Sequence, residues 1–275
     1  MSVTYAPAIA PRGLARKTLH TLEAYVRIDL VEERMFPANT ILRYLGLVFP
    51  VLLYFYQTNF LHSASSFAVM LIGTSIITGL QDSLTALTQR LQFAQERGTL
   101  ETYLVEPVPW ALIPVAMNIW RSFTGAVMAC LMVAFGALLG ADIKLSAVPL
   151  ALVVLFLGVA ACNAIGTLAA SFLVLFKRGE PIMMLFSLAA AVLGGALFPI
   201  SQLPSGIRWM SYLVPHSYVI SAERQLLMPH PPAGEVPIGL SIGVLFVFCV
   251  IMFTVGLTVF DRSLKLARRL GILSI

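Results

Sequence analysis

Charge is what this sequence has least of. Only 11% of its 275 residues are Asp, Glu, Lys or Arg, against 59% hydrophobic ones, and the mean hydropathy is +0.88. An ordinary soluble domain carries about 25% charged residues, and one core could not hide this much apolar surface. Cysteine is scarce as well. Cys130, Cys162 and Cys249 all sit inside apolar runs, with no metal-ligand spacing and no disulfide framework. The opening stretch MSVTYAPAIAPRGLARK has no apolar core, so no cleaved signal peptide is expected. Signatures of catalysis are missing: there is no HExxH and no G-x-S-x-G, and His20, His62, His216 and His230 are scattered over separate segments. Nor is there a G-x-x-x-x-G-K-S/T to cradle nucleotide phosphates. The chain is expected not to be an enzyme and to hold no cofactor or metal of its own.

What is there is a series of apolar runs of about 20 residues, the length a helix needs to cross hydrocarbon. They predict an all-α, polytopic membrane protein with six spans: Ile41 to Leu61, Phe67 to Leu87, Leu112 to Gly140, Ala147 to Phe176, Pro181 to Leu197 and Ile238 to Phe260. Before them, residues 14 to 38 read as an amphipathic helix lying along the membrane surface. Leu19, Leu22, Val26 and Leu30 recur at helical spacing, with Arg16, His20, Glu23, Arg27 and Arg34 on an adjoining face. Glu33 interrupts the apolar side, and Pro37 ends the helix.

The basic excess, 18 Lys and Arg against 13 Asp and Glu, does not point to nucleic acid. The basic residues gather at the ends of apolar runs, as the positive-inside rule expects. One set of loops holds Arg12, Arg16, Lys17, Arg27 and Arg34, then Arg90 and Arg97, then Lys177 and Arg178, then the tail from Arg262 to Arg269. The other set holds only Lys144, Arg208 and Arg224. Both termini are therefore expected in the cytoplasm, with 1–38 as a cytoplasmic N-terminus, 39–262 as the six-helix domain and 263–275 as a tail.

Three ionisable residues fall inside or near the ends of spans: Arg43, Asp82 and Arg121. Asp82 and Arg121 read either as snorkelling or mutually paired groups or as ion-coupling ones. The loop from 199 to 237 is too apolar and aromatic for a solvated connection. It predicts two short helices, Ser205 to Val214 and Ser217 to Leu227, dipping back into the outer leaflet and either packing on the bundle or lining a path.

One short segment stands apart. ERGTLETYLVEPVPW, residues 96 to 110, carries three glutamates, an arginine, a glycine and two prolines between apolar runs. Leu87, Leu91 and Ala94 continue the second span beyond the lipid. Gly98 is placed to end that helix, and Thr99 to cap a second one running to about Val105 with Glu101 in its first turn. The segment is either an elbow resting on the membrane or a knob presented to a soluble partner.

This stretch resembles the cytoplasmic loop motif of ABC-2 type exporter permeases. GGALFPISQLPSGIRWMSYLVPHSYVISAERQLL is similar to that family's last extracellular segment, and the likeness extends from about Leu22 to Asp261. It departs at Glu106, where a small hydroxyl residue commonly precedes the proline. The resemblance implies a transmembrane subunit of a bacterial plasma-membrane exporter, paired with a second such subunit. It also implies a separate ATPase that binds ATP and Mg. Glu96, Arg97, Gly98, Thr99, Leu100 and Glu101 would form the region that docks on that ATPase, with the 14–38 helix as a connector beside it.

Spans one and five border the translocation path in the resembling family. Tyr54, Phe55 and Tyr56, with Phe49 and Phe60, and Phe198, Trp209, Tyr212 and Tyr218 at the outer exit, are the candidate lining. Their plainer reading is an interfacial aromatic belt. Gly194 and Gly195 are candidates for close approach at the pair interface. A hydrophobic drug, a lipid or a lipid-linked glycan all fit as cargo. The alternatives to an ATP-driven exporter are an ion-driven secondary transporter resting on Asp82 and a non-catalytic polytopic membrane protein.

Overall fold

The computed structural model describes residues 14–60, 64–98, 112–176 and 180–269, and every regular element among them is helical. The order is α1 (Leu14–Met35), α2 (Pro37–Leu45), α3 (Val48–Phe60), α4 (Ala64–Glu96), α5 (Leu112–Leu138), α6 (Val148–Phe176), α7 (Glu180–Leu193), α8 (Ser205–Ser211), α9 (Pro215–Leu227) and α10 (Ile238–Arg269). Two single-turn 3₁₀ pieces, Leu145–Ala147 and Ile200–Gln202, lie between them. Five stretches are long and apolar enough to cross a membrane: 37–60, 67–96, 112–138, 145–174 and 238–267. The protein is an all-α, multi-pass membrane protein.

α10 lies along α6 and α1 along α5, while α5, α6 and α9 pack against α4, a long post. Its 33 residues span about 50 Å at 1.5 Å per residue, well beyond a hydrocarbon core of roughly 30 Å. It crosses α5 backbone to backbone: a Cβ on Gly79 would stand 2.7 Å from the Gly125 carbonyl oxygen, and one on Gly125 would stand 2.5 Å from that of Gly79. In lipid there is no hydrophobic gain from helix contact itself, so such small-residue crossings supply the close packing instead. A central core then joins Ile72, Ile76 and Leu80 of α4 to Val154 and Cys162 of α6, Val219 of α9 and Leu245 of α10.

The first expected span is two helices. α2 and α3 meet at Gly46–Leu47, with Pro50 in the first turn of α3. There its missing N–H is one that has no intrahelical acceptor anyway. Pro37 does more than end α1, since it is also the first residue of α2. The fifth expected span is shorter than predicted. α7 has 14 residues, about 21 Å, too short to cross alone. Gly195 ends it with φ +74, a left-handed conformation that suits glycine. Pro199 and the 3₁₀ turn then lead into α8.

Of the two expectations for the 199–237 segment, packing on its own bundle is the one seen. The helices run Ser205–Ser211 and Pro215–Leu227, with Pro215 inside the second as its first residue. Every residue of α9 from Pro215 to Arg224 is buried. Arg224 is wholly enclosed, donating from Nη2 to the carbonyls of Val69 and Ala196 at 2.9 Å each, and from Nη1 to Glu235 at 3.3 Å. Its room exists because Gly73 has no Cβ. The last helix also exceeds its expected span, continuing without a break from Ile238 to Arg269.

Candidate coupling site

The stretch that links α4 to the 96–110 segment is built as a rigid base. Leu87, Leu91 and Ala94 are buried among Tyr25 of α1, Met117 of α5, Leu173 of α6 and Phe260 and Leu264 of α10. Helical spacing put those three on one face, and four other helices converge on that face. The helix stops at Glu96. Arg97 donates its N–H to the Phe93 carbonyl, Gly98 donates to that of Gln95, and Gly98 sits at φ +66. A Cβ on Gly98 would meet nothing within 4 Å, so glycine is needed there for its backbone conformation and not for space. Glu96, Arg97 and Gly98 are all exposed. Thr99, Leu100 and Glu101, and the short helix expected over them, lie outside the described residues.

α1 is fastened beside this base by polar contacts. Arg90 of α4 donates to the Asp29 carboxylate and, at 2.9 Å, to the Met117 carbonyl of α5. Trp120 Nε1 donates to Glu33 at 3.1 Å. Glu33, the interruption in the apolar pattern, is thus an anchor. The stripe that faces the bundle runs through Leu22, Tyr25 and Asp29, while Leu19, expected on the apolar face, is 67% exposed. Tyr25 takes that face by packing into the cluster of Leu87 and Leu91, and Asp29 by meeting Arg90. Ile28, Val31 and Met35 form a second, exposed apolar stripe. A groove of about 600 Å³ runs from it to Phe93 and Arg97, so the connector and the end of α4 present one continuous surface.

Asp82 pairs with Arg43 of α2 and not with Arg121. Arg121 lines a smaller recess with Asp29, Glu33 and Arg43, without an ion pair to a described residue. The aromatic candidates fall into two groups. On α3, Phe55 packs edge-on against Tyr56 and Phe67 at 5.4 and 5.6 Å, and Tyr56 is exposed. Beyond α7, Trp209 and Tyr212 are exposed and Phe198 is half-buried. No ring contact joins the two groups among the described residues. Gly194 ends α7 together with Gly195, and its missing Cβ makes room for His216 of α9 at 3.0 Å. The Asp29–Arg90 and Arg224–Glu235 pairs were not foreseen, because no local spacing relates partners that distant along the chain.

Residues 34–228 match the family described as "ABC-2 type transporter". The chain is also 27% identical over 205 residues to a protein of Escherichia coli strain K12 named "Probable multidrug ABC transporter permease YbhS", and equally to its counterpart in Escherichia coli O157:H7. Each match covers 72% of this chain and 50% of the relative, so the chain spans about half the length of the curated relatives it matches. With a family match over most of its length, on a bundle of apolar crossing helices, this chain belongs to the ABC-2 type transporter family.

Proposed function

We propose that this chain is the transmembrane subunit of an ATP-driven exporter of the bacterial plasma membrane. A separate ATPase, holding ATP and Mg, docks at residues 96–106. A second permease subunit pairs with this one, and alternating access between them moves a hydrophobic drug, a lipid or a lipid-linked glycan outward. Both termini lie on the ATPase side.

The observation that carries this reading is the unbroken helix from the bundle core to Glu96, wedged among four other helices near its exposed end. A loop that merely connects two spans has no use for so stiff a base. A segment that must convey a partner's movement does, since packed helices shift as units. The relatives named as multidrug ABC transporter permeases support the cargo class. The pairing of Asp82 with Arg43 disfavours an ion-driven carrier, which would need that carboxylate free to exchange an ion.

The test is purification from the native membrane in mild detergent. A co-purifying ATPase whose retention is lost on substituting Leu100 and Glu101 supports the assignment. Retention undiminished by both substitutions would remove the coupling role from this segment.

A further inference from the structure

Arg224 turns toward α4, but its neighbour Glu223 does not share that staple. Glu223 lines a recess of about 250 Å³ between α4, α5, α6 and α9, with Ile76, Ala129, Cys130, Ala134 and Leu152 among its walls. Every other lining residue is apolar. Glu223 is 2% exposed, and its Oε1 has no hydrogen-bond partner among the described residues. The nearest buried cation, that of Arg224, is already committed to Glu235 and two carbonyls. Cys130, Ala134 and Leu152 are exposed, so the recess opens sideways on the surface that faces hydrocarbon in a membrane.

An orphaned carboxyl in an apolar wall is costly. Water is a poor remedy: a buried water wants two to four polar partners, about 30 Å³ suffices for it, and this recess is larger with a single polar group. A ligand that fits must bring a long apolar body and one compact hydrogen-bond donor. A protonated amine supplies three donors and the charge complementary to a carboxylate. We infer that this recess binds a single-chain amphiphile with an ammonium head, its nitrogen on Glu223 and its tail along α5 and α6. Binding there is independent of whether the molecule is exported.

The probe is a long-chain primary amine carrying a diazirine in its tail, compared with the matching carboxylate. The full chain sits in nanodiscs of phosphatidylcholine. Crosslinks to the 129–137 peptide are read by mass spectrometry and normalised to the exposed face of α10 around Phe246 and Val250. The amine labels the 129–137 peptide about tenfold more than the carboxylate, the ratio that one charge-assisted hydrogen bond supplies. Unlabelled dodecylamine competes it away, and Glu223→Gln lowers it to the carboxylate level at an unchanged unfolding temperature. Ala134→Phe, which fills the recess from its exposed rim, abolishes the amine's labelling, and with the amine-over-carboxylate ratio of the parent it tests the site even if Glu223→Gln fails to fold. Equal labelling by both probes would make this an ordinary acyl-chain groove. No labelling by either would mean that the face is covered, by a second copy of the chain for example. Each of those results, or full labelling of Glu223→Gln, overturns the inference.

Discussion

Asp29 and Arg90 are 61 residues apart in sequence, yet the Arg90 guanidinium donates to the Asp29 carboxylate and joins the first helix to the α4 post. Asp29 is 4% exposed and Arg90 17%. Removing either partner leaves a buried charge uncompensated, which costs about 3 kcal/mol or more. Asp29→Asn is expected to loosen α1 and lower the unfolding temperature. Limited proteolysis within residues 14–35 reads the loosening directly. If α1 remains as protected as in the parent, the pair is not what holds it.

Gly98 gives a prediction about backbone alone. No described residue lies within 4 Å of a Cβ placed there, so a side chain meets no clash among them. The φ of +66 nevertheless disfavours any residue with a Cβ by about 1–2 kcal/mol. Gly98→Asn should therefore keep more export activity than Gly98→Ala, and Gly98→Val should keep least. A different rank order would place the requirement elsewhere, in a contact with a partner for instance.

Substituting Leu100 and Glu101 together with alanine is expected to abolish ATP-driven export while membrane insertion stays normal. Export into inverted vesicles and the amount of inserted protein are measured on the same preparation. Undiminished transport at normal insertion would detach the 96–110 segment from coupling.

Asp82 separates the two transport mechanisms. Asp82→Asn alone should destabilise the bundle, because Arg43 loses its partner. The double variant Arg43→Met with Asp82→Leu removes both charges of this half-buried pair, so neither is left without its partner. ATP-driven export is expected to survive in the double variant. Its loss, in protein that folds normally, would revive an ion-coupling role for the carboxylate.

Arg224→Met strands two carbonyls and Glu235 in a buried setting, at a cost of about 3–5 kcal/mol. Arg224→Lys keeps the charge but cannot reach three acceptors with one planar fork, so its unfolding temperature should fall between the other two. Equal stability of all three would show that the staple is dispensable.

How far the sequence could be read depended on the range of each interaction. α5 and α6 begin and end within about two residues of expectation because apolar runs and flanking turns are local signals. Glycine at 98 announced a helix end by the same local logic. Gly194–Gly195 carried that signal too, and there the run of apolar residues concealed it, which is why α7 stops short. Leu19 was placed inward by periodicity alone, whereas Tyr25 and Asp29 take the inner face through partners on α4. Thr99, Leu100 and Glu101, which carry the docking proposal, lie outside the described residues. Arg224 is the plainest case of illegibility. It counted as an ordinary loop cation until the fold surrounded it with carbonyls contributed by residues 69 and 196.

The length of α4 sets a gear ratio. Val69 and Glu96 stand 27 residues apart, about 40 Å along the axis, so a tilt of roughly 5° about the Glu96 end would displace Val69 by about 3–4 Å. The α4–α5 backbone crossing at Gly79 and Gly125 leaves no slack for bending midway. At that far end Arg224 holds the carbonyl of Val69 and the carbonyl of Ala196 with the same nitrogen. A tilt of the post about its exposed end would therefore be largest beside the turn after α7, where one guanidinium group ties the post to that turn and to α9.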